Sequence, residues 1–455
     1  MDALAKDGMM FTDAHTNSAV CTPTRYGILT GTYAFRTRLK SGVLWGSSPT
    51  LINKGEATVA SLLRKNGYNT AVIGKWHLGW GWVAKAGKKL NRNSWNDKEC
   101  ENVDFTKPLT ECPNDNGFDY YFGIGSSNNM QPYCYIENNK IVVPPATKKK
   151  RPVYDTESGA GLVSDDYVSE NIDQVLWGKA KGWLDRHFKT TPKKPFFLYM
   201  PHTMLHKPLG VSEAFRGKSK FGLYGDVIQE LDHHVGRLMD ALKRLGLDRN
   251  TMVVYASDNG RGPGRTPAQP LRGHKLSTYE AGIRVPCIAW GPGLGVRAKH
   301  TCSEVVSAMD WYPTLATLAG AKVPKGRVID GRDISPLLNK RCDKIPRLTD
   351  KLSLNAAVPL RRTWDPPGEW KDLITRQEYH DAFFYHGSHG ALAAVRWGKW
   401  KLYINPDLQL FDLDKDPGER KTVRNAKIAR KLRGMVIMFQ NEMRTDARPA
   451  GRQEK

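Results

Sequence analysis

Three apolar runs end in residues suited to handling charged oxygen. Residues 70–74 (TAVIG) lead into Lys75-Trp76-His77, 196–200 (FFLYM) into a stretch containing His202 and His206, and 252–256 (MVVYA) into Ser257-Asp258-Asn259-Gly260. Asp258 and Asn259 are adjacent hard oxygen donors, which suit Ca2+, or less well Mg2+, better than zinc. Lys75, Lys275 and Arg25 supply positive charge, and His77 and His206 can carry protons near neutral pH. Cations, a divalent metal and imidazoles together describe hydrolysis of a tetrahedral oxyanion ester, either phosphate or sulfate. Cys21 stands upstream in V-C-T-P-T-R-Y-G-I-L-T-G. An isolated cysteine is by default a buried thiol, so its surroundings must argue for anything more.

Something must bring these residues together. Apolar strands at 70–74, 196–200, 252–256 and 285–290 alternate with helical patterns at 57–66, 167–188, 225–245 and 308–319. Runs apolar on both faces, separated by amphipathic helices, predict an α/β protein with a mainly parallel central sheet between helix layers. Ligands bind outside the carboxyl ends of such strands, so Lys75, His77, His206, Asp258 and Asn259 are expected on one edge of one sheet. Beyond a Pro- and charge-rich stretch the texture changes, with short alternating segments at 390–397, 399–404 and 408–413 and a basic helix at the end. The expected organisation is a catalytic domain over 1–340 and a small antiparallel α+β subdomain over 341–455.

Composition narrows the partners. The 455 residues carry a net charge of +23, with basic clusters at 85–92, 148–151 and 420–433. Such a field favours polyanions. No zinc-finger spacing, basic zipper or RNA-binding aromatic signature accompanies it, so nucleic acid is not the expected partner. No stretch approaches the roughly 18–20 apolar residues of a membrane span. None of the seven cysteines forms a C-x-x-C pair, which disfavours structural zinc or a redox dithiol, while a pairing such as Cys100 with Cys112 is permitted.

The motifs resemble, in order and over nearly the whole chain, the type I sulfatases of the alkaline-phosphatase-like superfamily. Cys21-Thr22-Pro23-Thr24-Arg25 with Leu29-Thr30-Gly31 matches the signature C-x-P-x-R and its trailing L-T-G. Residues 74–79 (GKWHLG), the H-x-P at His206-Lys207-Pro208, 257–260 (SDNG), 273–286 (GHKLSTYEAGIRVP) and 410–419 (LFDLDKDPGE) continue it. The resemblance implies oxidation of Cys21 to formylglycine by a maturase. One hydroxyl of its hydrate attacks sulfur and releases the alcohol; the other collapses back to the aldehyde and expels sulfate. It further implies that Arg25 steadies the hydrate, that Lys75 and Lys275 bind sulfate oxygens, and that His77 helps orient or deprotonate the hydrate. His206, with His202 as rival, would face the leaving-group oxygen, and Ser127 would add a polar contact. Asp258, Asn259 and the modified Cys21 would ligate calcium. The implied substrate is a sulfated small molecule or glycan, and the implied location periplasmic or extracellular.

Three departures stand out. Family members begin with a strand ending in paired aspartates that ligate calcium, and residues 1–12 correspond to the segment after it; the expectation is a truncated start, with weakened calcium binding in the chain as it stands. Thr24 replaces the commoner serine, and the 261–269 loop is short and basic. The rival readings are a phosphate or phosphonate ester hydrolase of the same superfamily and an inactive polyanion-binding relic.

Overall fold

A computed structural model describes residues 1–90, 97–149, 161–262, 270–324, 327–339, 368–405 and 407–445. They form two compact units, one of residues 44–251 with Met1, the other of residues 2–43 and 252–455.

In the first unit, Asn69–Lys75 is buried from Thr70 onward, as a strand covered on both faces must be. It pairs in parallel with Tyr120–Ile124 and with Phe196–Tyr199. Tyr135–Glu137 and Lys140–Ile141 extend the sheet as an antiparallel hairpin. The helix Ile172–Thr190 lays Ile172, Leu176, Trp177 and Ala180 into one apolar cluster with Ile73, Phe122, Ile124 and Tyr135. Gly74, at φ +144°, lets the strand end approach its neighbour: a Cβ there would lie 2.2 Å from the Pro201 carbonyl oxygen.

In the second unit, Val253–Ala256 pairs antiparallel with Cys287–Trp290, which pairs antiparallel with Met9–Phe11, itself parallel to His300–Cys302. A separate meander runs Phe383–His386, Leu392–Trp397, Trp400–Tyr403, Gln409–Asp412. The helix Ala426–Thr445 covers it, burying Leu432, Met435, Val436 and Phe439, with the Phe439 ring stacked 3.9 Å from Phe384.

The expectation of one sheet is corrected here. The strands that lead to Lys75 and His206 belong to one sheet, and the strand that leads to Asp258 belongs to another, where its neighbour runs antiparallel. Period-two patterning reports that a strand is buried, not which strand lies beside it. Met9–Phe11 and Phe383–His386 were not foreseen, because three or four residues are too few to show a period. The helix expected from 167 begins as a 3-10 turn at Ser169–Asn171, and that from 308 as one at Ala308–Asp310. Cys100 and Cys112 are not joined: Cys100 Sγ lies 3.3 Å from the Gln131 carbonyl and Cys112 Sγ 3.4 Å from an Asp115 carboxylate oxygen. The boundary near 340, Cys342 and most of the 261–269 loop lie outside the described residues.

Candidate active site

The sequence-derived residues divide between the units. Residues 2–43 and 252–455 hold Cys21, Arg25, Asp258, Asn259 and Lys275; residues 44–251 hold Lys75, His77, Ser127, His202 and His206.

Cys21 is the first residue of the buried helix Cys21–Thr30. Val20 precedes it in extended conformation, and Gly31, at φ +68°, ends the helix by donating its N–H to the Gly27 carbonyl at 2.8 Å. Pro23 is tolerated because the first turn of a helix has no backbone acceptor to lose. The loop before Cys21 is tied down by side chains: Asn17 Nδ2 donates to the Pro23 carbonyl at 2.9 Å and Thr24 Oγ1 to the Ser18 carbonyl at 3.2 Å. Thr24 thus retains a hydroxyl role in place of serine. One turn on, buried Arg25 places Nε 2.9 Å and a terminal nitrogen 2.7 Å from Asp258 Oδ2. The signature arginine and the Ser257-Asp258-Asn259-Gly260 turn therefore meet in space although 233 positions separate them.

That turn is held from behind. Gly260 donates its N–H to Gly282 O at 2.9 Å, Arg261 to Ala281 O at 3.2 Å, and Lys275 to Arg261 O at 2.7 Å. Leu276 donates to Ala19 O at 3.1 Å, so the Lys275 loop also touches the approach to Cys21. A side chain at Gly260 would meet Ala281 O at 2.1 Å. Asn259 Nδ2 donates to the Gly260 carbonyl at 2.9 Å, while its buried Oδ1 has no hydrogen-bond partner among the described residues. A carboxylate and an unsatisfied carboxamide oxygen on consecutive residues fit a hard cation, and give two of the roughly six to eight oxygens that calcium takes.

In the other unit, buried Lys75 closes its strand with its N–H on Pro201 O at 2.8 Å. His77 is held at φ +59°, a strained value for a non-glycine residue, and its Nε2 lies 2.7 Å from the Leu44 carbonyl. A carbonyl only accepts, so Nε2 carries the proton and Nδ1 the lone pair. His206 Nδ1 lies 2.6 Å from Lys207 O and, since a carbonyl only accepts, carries the proton of that bond. His202 is fixed differently, with Nδ1 3.0 Å from Asp173 and its ring stacked 6.4 Å from His234. Ser127 Oγ is buried with no hydrogen-bond partner among the described residues.

Comparison with known proteins decides the family. The model of the Sulfatase family matches residues 1–321. The chain belongs to the sulfatase family. An N-acetylgalactosamine-6-O-sulfatase of Bacteroides thetaiotaomicron is 30% identical over 93% of this chain and 84% of its own, and human arylsulfatase A is 32% identical over 92% and 77%. A solved sulfatase from work on glycosaminoglycan metabolism by Bacteroides thetaiotaomicron superposes with a TM-score of 0.77 at 25% identity, covering 97% of this chain and 93% of that one. This sulfatase is thus a sulfuric ester hydrolase with the alkaline-phosphatase-like α/β architecture.

Sequence reasoning missed a buried ionic network in the same sulfatase. Asp13, His15 and Glu280 are the one trio of carboxylate and imidazole groups close enough to hold an ion among the described residues. Protein cations already pair with its carboxylates. Arg396 reaches both Asp13 oxygens at 2.8 and 2.6 Å and lies 3.1 Å from His15 Nε2. Lys401 Nζ lies 2.8 Å from Glu280 Oε1, and fully buried Glu419 shares the same ammonium at 2.8 Å. Burial pushes the Glu280 carboxyl up, but Lys401, His15 and Arg396 outweigh it and bring it down to about 2. Opposed by the same burial, His15 and Arg396 hold the Asp13 carboxyl well below the usual range. This trio does not fit a metal ion, because Arg396 fills the coordination space on Asp13. Glu280 and Glu419 both stood within motifs read from the sequence; Asp13, Arg396 and Lys401 gave no signal, being lone charges in apolar or basic surroundings.

Proposed function

We propose that the chain hydrolyses sulfate esters of a glycan through formylglycine made from Cys21, with calcium held by Asp258 and Asn259. The observation that carries this reading is Cys21 at a buried helix start one turn from Arg25, whose guanidinium grips Asp258. Bound calcium would neutralise sulfate oxygens as a Lewis acid. The hydrated aldehyde would supply the nucleophilic hydroxyl.

Each side chain then has a task its geometry suits. Arg25, an obligate cation, orients the modified residue and balances the Asp258 charge. Lys75 and Lys275 bind sulfate oxygens, where positive charge already in place lowers the barrier as charge develops. His77, with Nδ1 basic, accepts a proton from the nucleophilic hydroxyl. His206 delivers one from Nε2 to the leaving oxygen, and Ser127 hydrogen-bonds the substrate. His202 is read as support for its loop, since Asp173 already fixes it.

A sulfated glycan suits the +23 charge, and 6-O-sulfated N-acetylgalactosamine is the first substrate to try in view of the Bacteroides relative. A polymer of that kind is met in the periplasm or outside the cell, where we place the activity. The test is co-expression with a formylglycine-generating maturase, mass analysis of the peptide containing Cys21, and turnover of a generic aryl sulfate. Conversion of the thiol to an aldehyde with turnover is the expected result. An unmodified Cys21 and an inert protein under those conditions would overturn the reading.

A further inference from the structure

The tail motif 410–419 (LFDLDKDPGE) has no task in the chemistry above, yet its last residue is wholly buried and strained, with Glu419 at φ +54°. Its side chain reaches far back along the chain. Glu419 Oε2 accepts the backbone N–H of Glu280 at 2.7 Å, and Oε1 accepts from Tyr403 OH at 2.9 Å and from Lys401 Nζ at 2.8 Å. Lys401 Nζ also donates to the Thr278 carbonyl at 2.8 Å, and the single Tyr403 hydroxyl proton is shared between Glu419 Oε1 and that carbonyl, which lies 2.9 Å away. Arg272 closes the ring by donating to the Glu419 carbonyl at 3.1 Å while its guanidinium covers the Tyr279 ring at 3.9 Å. The Glu280 N–H and the Thr278 carbonyl belong to the segment that Lys275 precedes and whose Gly282 and Ala281 carbonyls accept from Gly260 and Arg261, at the end of the Asp258-Asn259 turn.

We propose that Glu419 and Lys401 are positioning residues: they lock the 278–282 backbone, and through it hold the Asp258–Asn259 turn and Lys275 in register. The placing of Asp258, Asn259 and Lys275 in the active site rests on the function proposed above. The physical reason is that a buried carboxylate shared between an ammonium, a phenol and a backbone N–H has one geometry in which all are satisfied. Moving the segment would leave ions buried and unpaired. The small antiparallel sheet thereby acts on the chemistry without touching substrate.

The test is hydrogen exchange, read by mass spectrometry, on the full metal-free chain and its Glu419→Gln, Tyr403→Phe and Phe384→Leu variants. Positioning predicts that peptides over 258–262 and 274–284 exchange about tenfold faster in Glu419→Gln, and less so in Tyr403→Phe, while Cys287–Trp290 keeps its protection. Phe384→Leu, a core change in the same sheet away from the network, is expected to lower Tm and leave 258–262 unchanged. The folded Glu419→Gln variant should also bind calcium about tenfold more weakly and lose kcat/KM on an aryl sulfate by a similar factor. Unchanged exchange at 258–262, or an equal rise in the Phe384→Leu variant, overturns the proposal. Should Glu419→Gln fail to fold, Tyr403→Phe decides by the same comparison. If the unaltered chain neither binds calcium nor turns over an aryl sulfate, the functional reading fails, while the exchange comparison still decides the bracing.

Discussion

In the role proposed above, His206 keeps its Nδ1 proton on the Lys207 carbonyl, 2.6 Å away, and transfers protons at Nε2. General-acid help matters most when the departing alkoxide is a poor leaving group. His206→Ala should therefore lower turnover of an alkyl or sugar sulfate by about 10^2-fold or more, and of a nitrophenyl sulfate far less. Steady-state kinetics on the pair of substrates checks this, and an equal loss on both would remove the role. The candidate site residues that stand in contiguous signatures are the ones the sequence itself offers: Cys21 with Arg25, Lys75 with His77, Asp258 with Asn259. The H-x-P pattern favours His206 over His202 in the sequence, and what engages His202 is seen only in space, because the Asp173 carboxylate lies 29 positions away.

Among the elements, the helix Cys21–Thr30 is the most exacting. Its end needs Gly31 at φ +68°, and a Cβ there would lie 2.7 Å from Tyr312 Cδ1. Gly31→Ala should cost at least about 1–2 kcal/mol from the left-handed backbone alone, seen as a lower Tm. It should also cut activity beyond that loss if the helix sets the position of Cys21. The tail helix gives a dependence of a different kind, in packing alone. Phe439→Ala removes a ring stacked on Phe384 and should cost about 3–5 kcal/mol in denaturant unfolding. The glycine was visible in the L-T-G signature, whereas the stacking partner was not, since a helical period shows which face is apolar and leaves open what it will meet.

For the whole molecule, two dependences follow from charge. Burial, with further help from Arg36, lowers buried His386 from an ordinary 6.5 to about 4, although its bond to the Gly390 carbonyl and the nearby Asp330 resist the shift. The unfolded chain takes up a proton at pH values where the folded one does not, so this contribution is complete above about 6.5 and is lost as the pH falls towards 4. Glu280, lowered from 4.5 to about 2, adds a loss in the same direction below about 4.5. Calorimetry should show Tm falling from pH 7 to 5, and His386→Gln should flatten that slope. The +23 field gives the second dependence: raising salt from 50 to 500 mM should weaken the apparent affinity for a sulfated polymer much more than for a small aryl sulfate. What the sequence determined by itself was carried by short contiguous patterns: the family, the α/β class, and the candidates for nucleophile, its arginine and a metal-ligand pair. Tertiary structure alone decided that the strands belong to two sheets, that Arg25 grips Asp258, and that Glu419 and Lys401 secure the 278–282 segment. Those outcomes depend on pairing between residues far apart in the chain, and neither patterning nor composition encodes which distant partner a buried strand or charge will find.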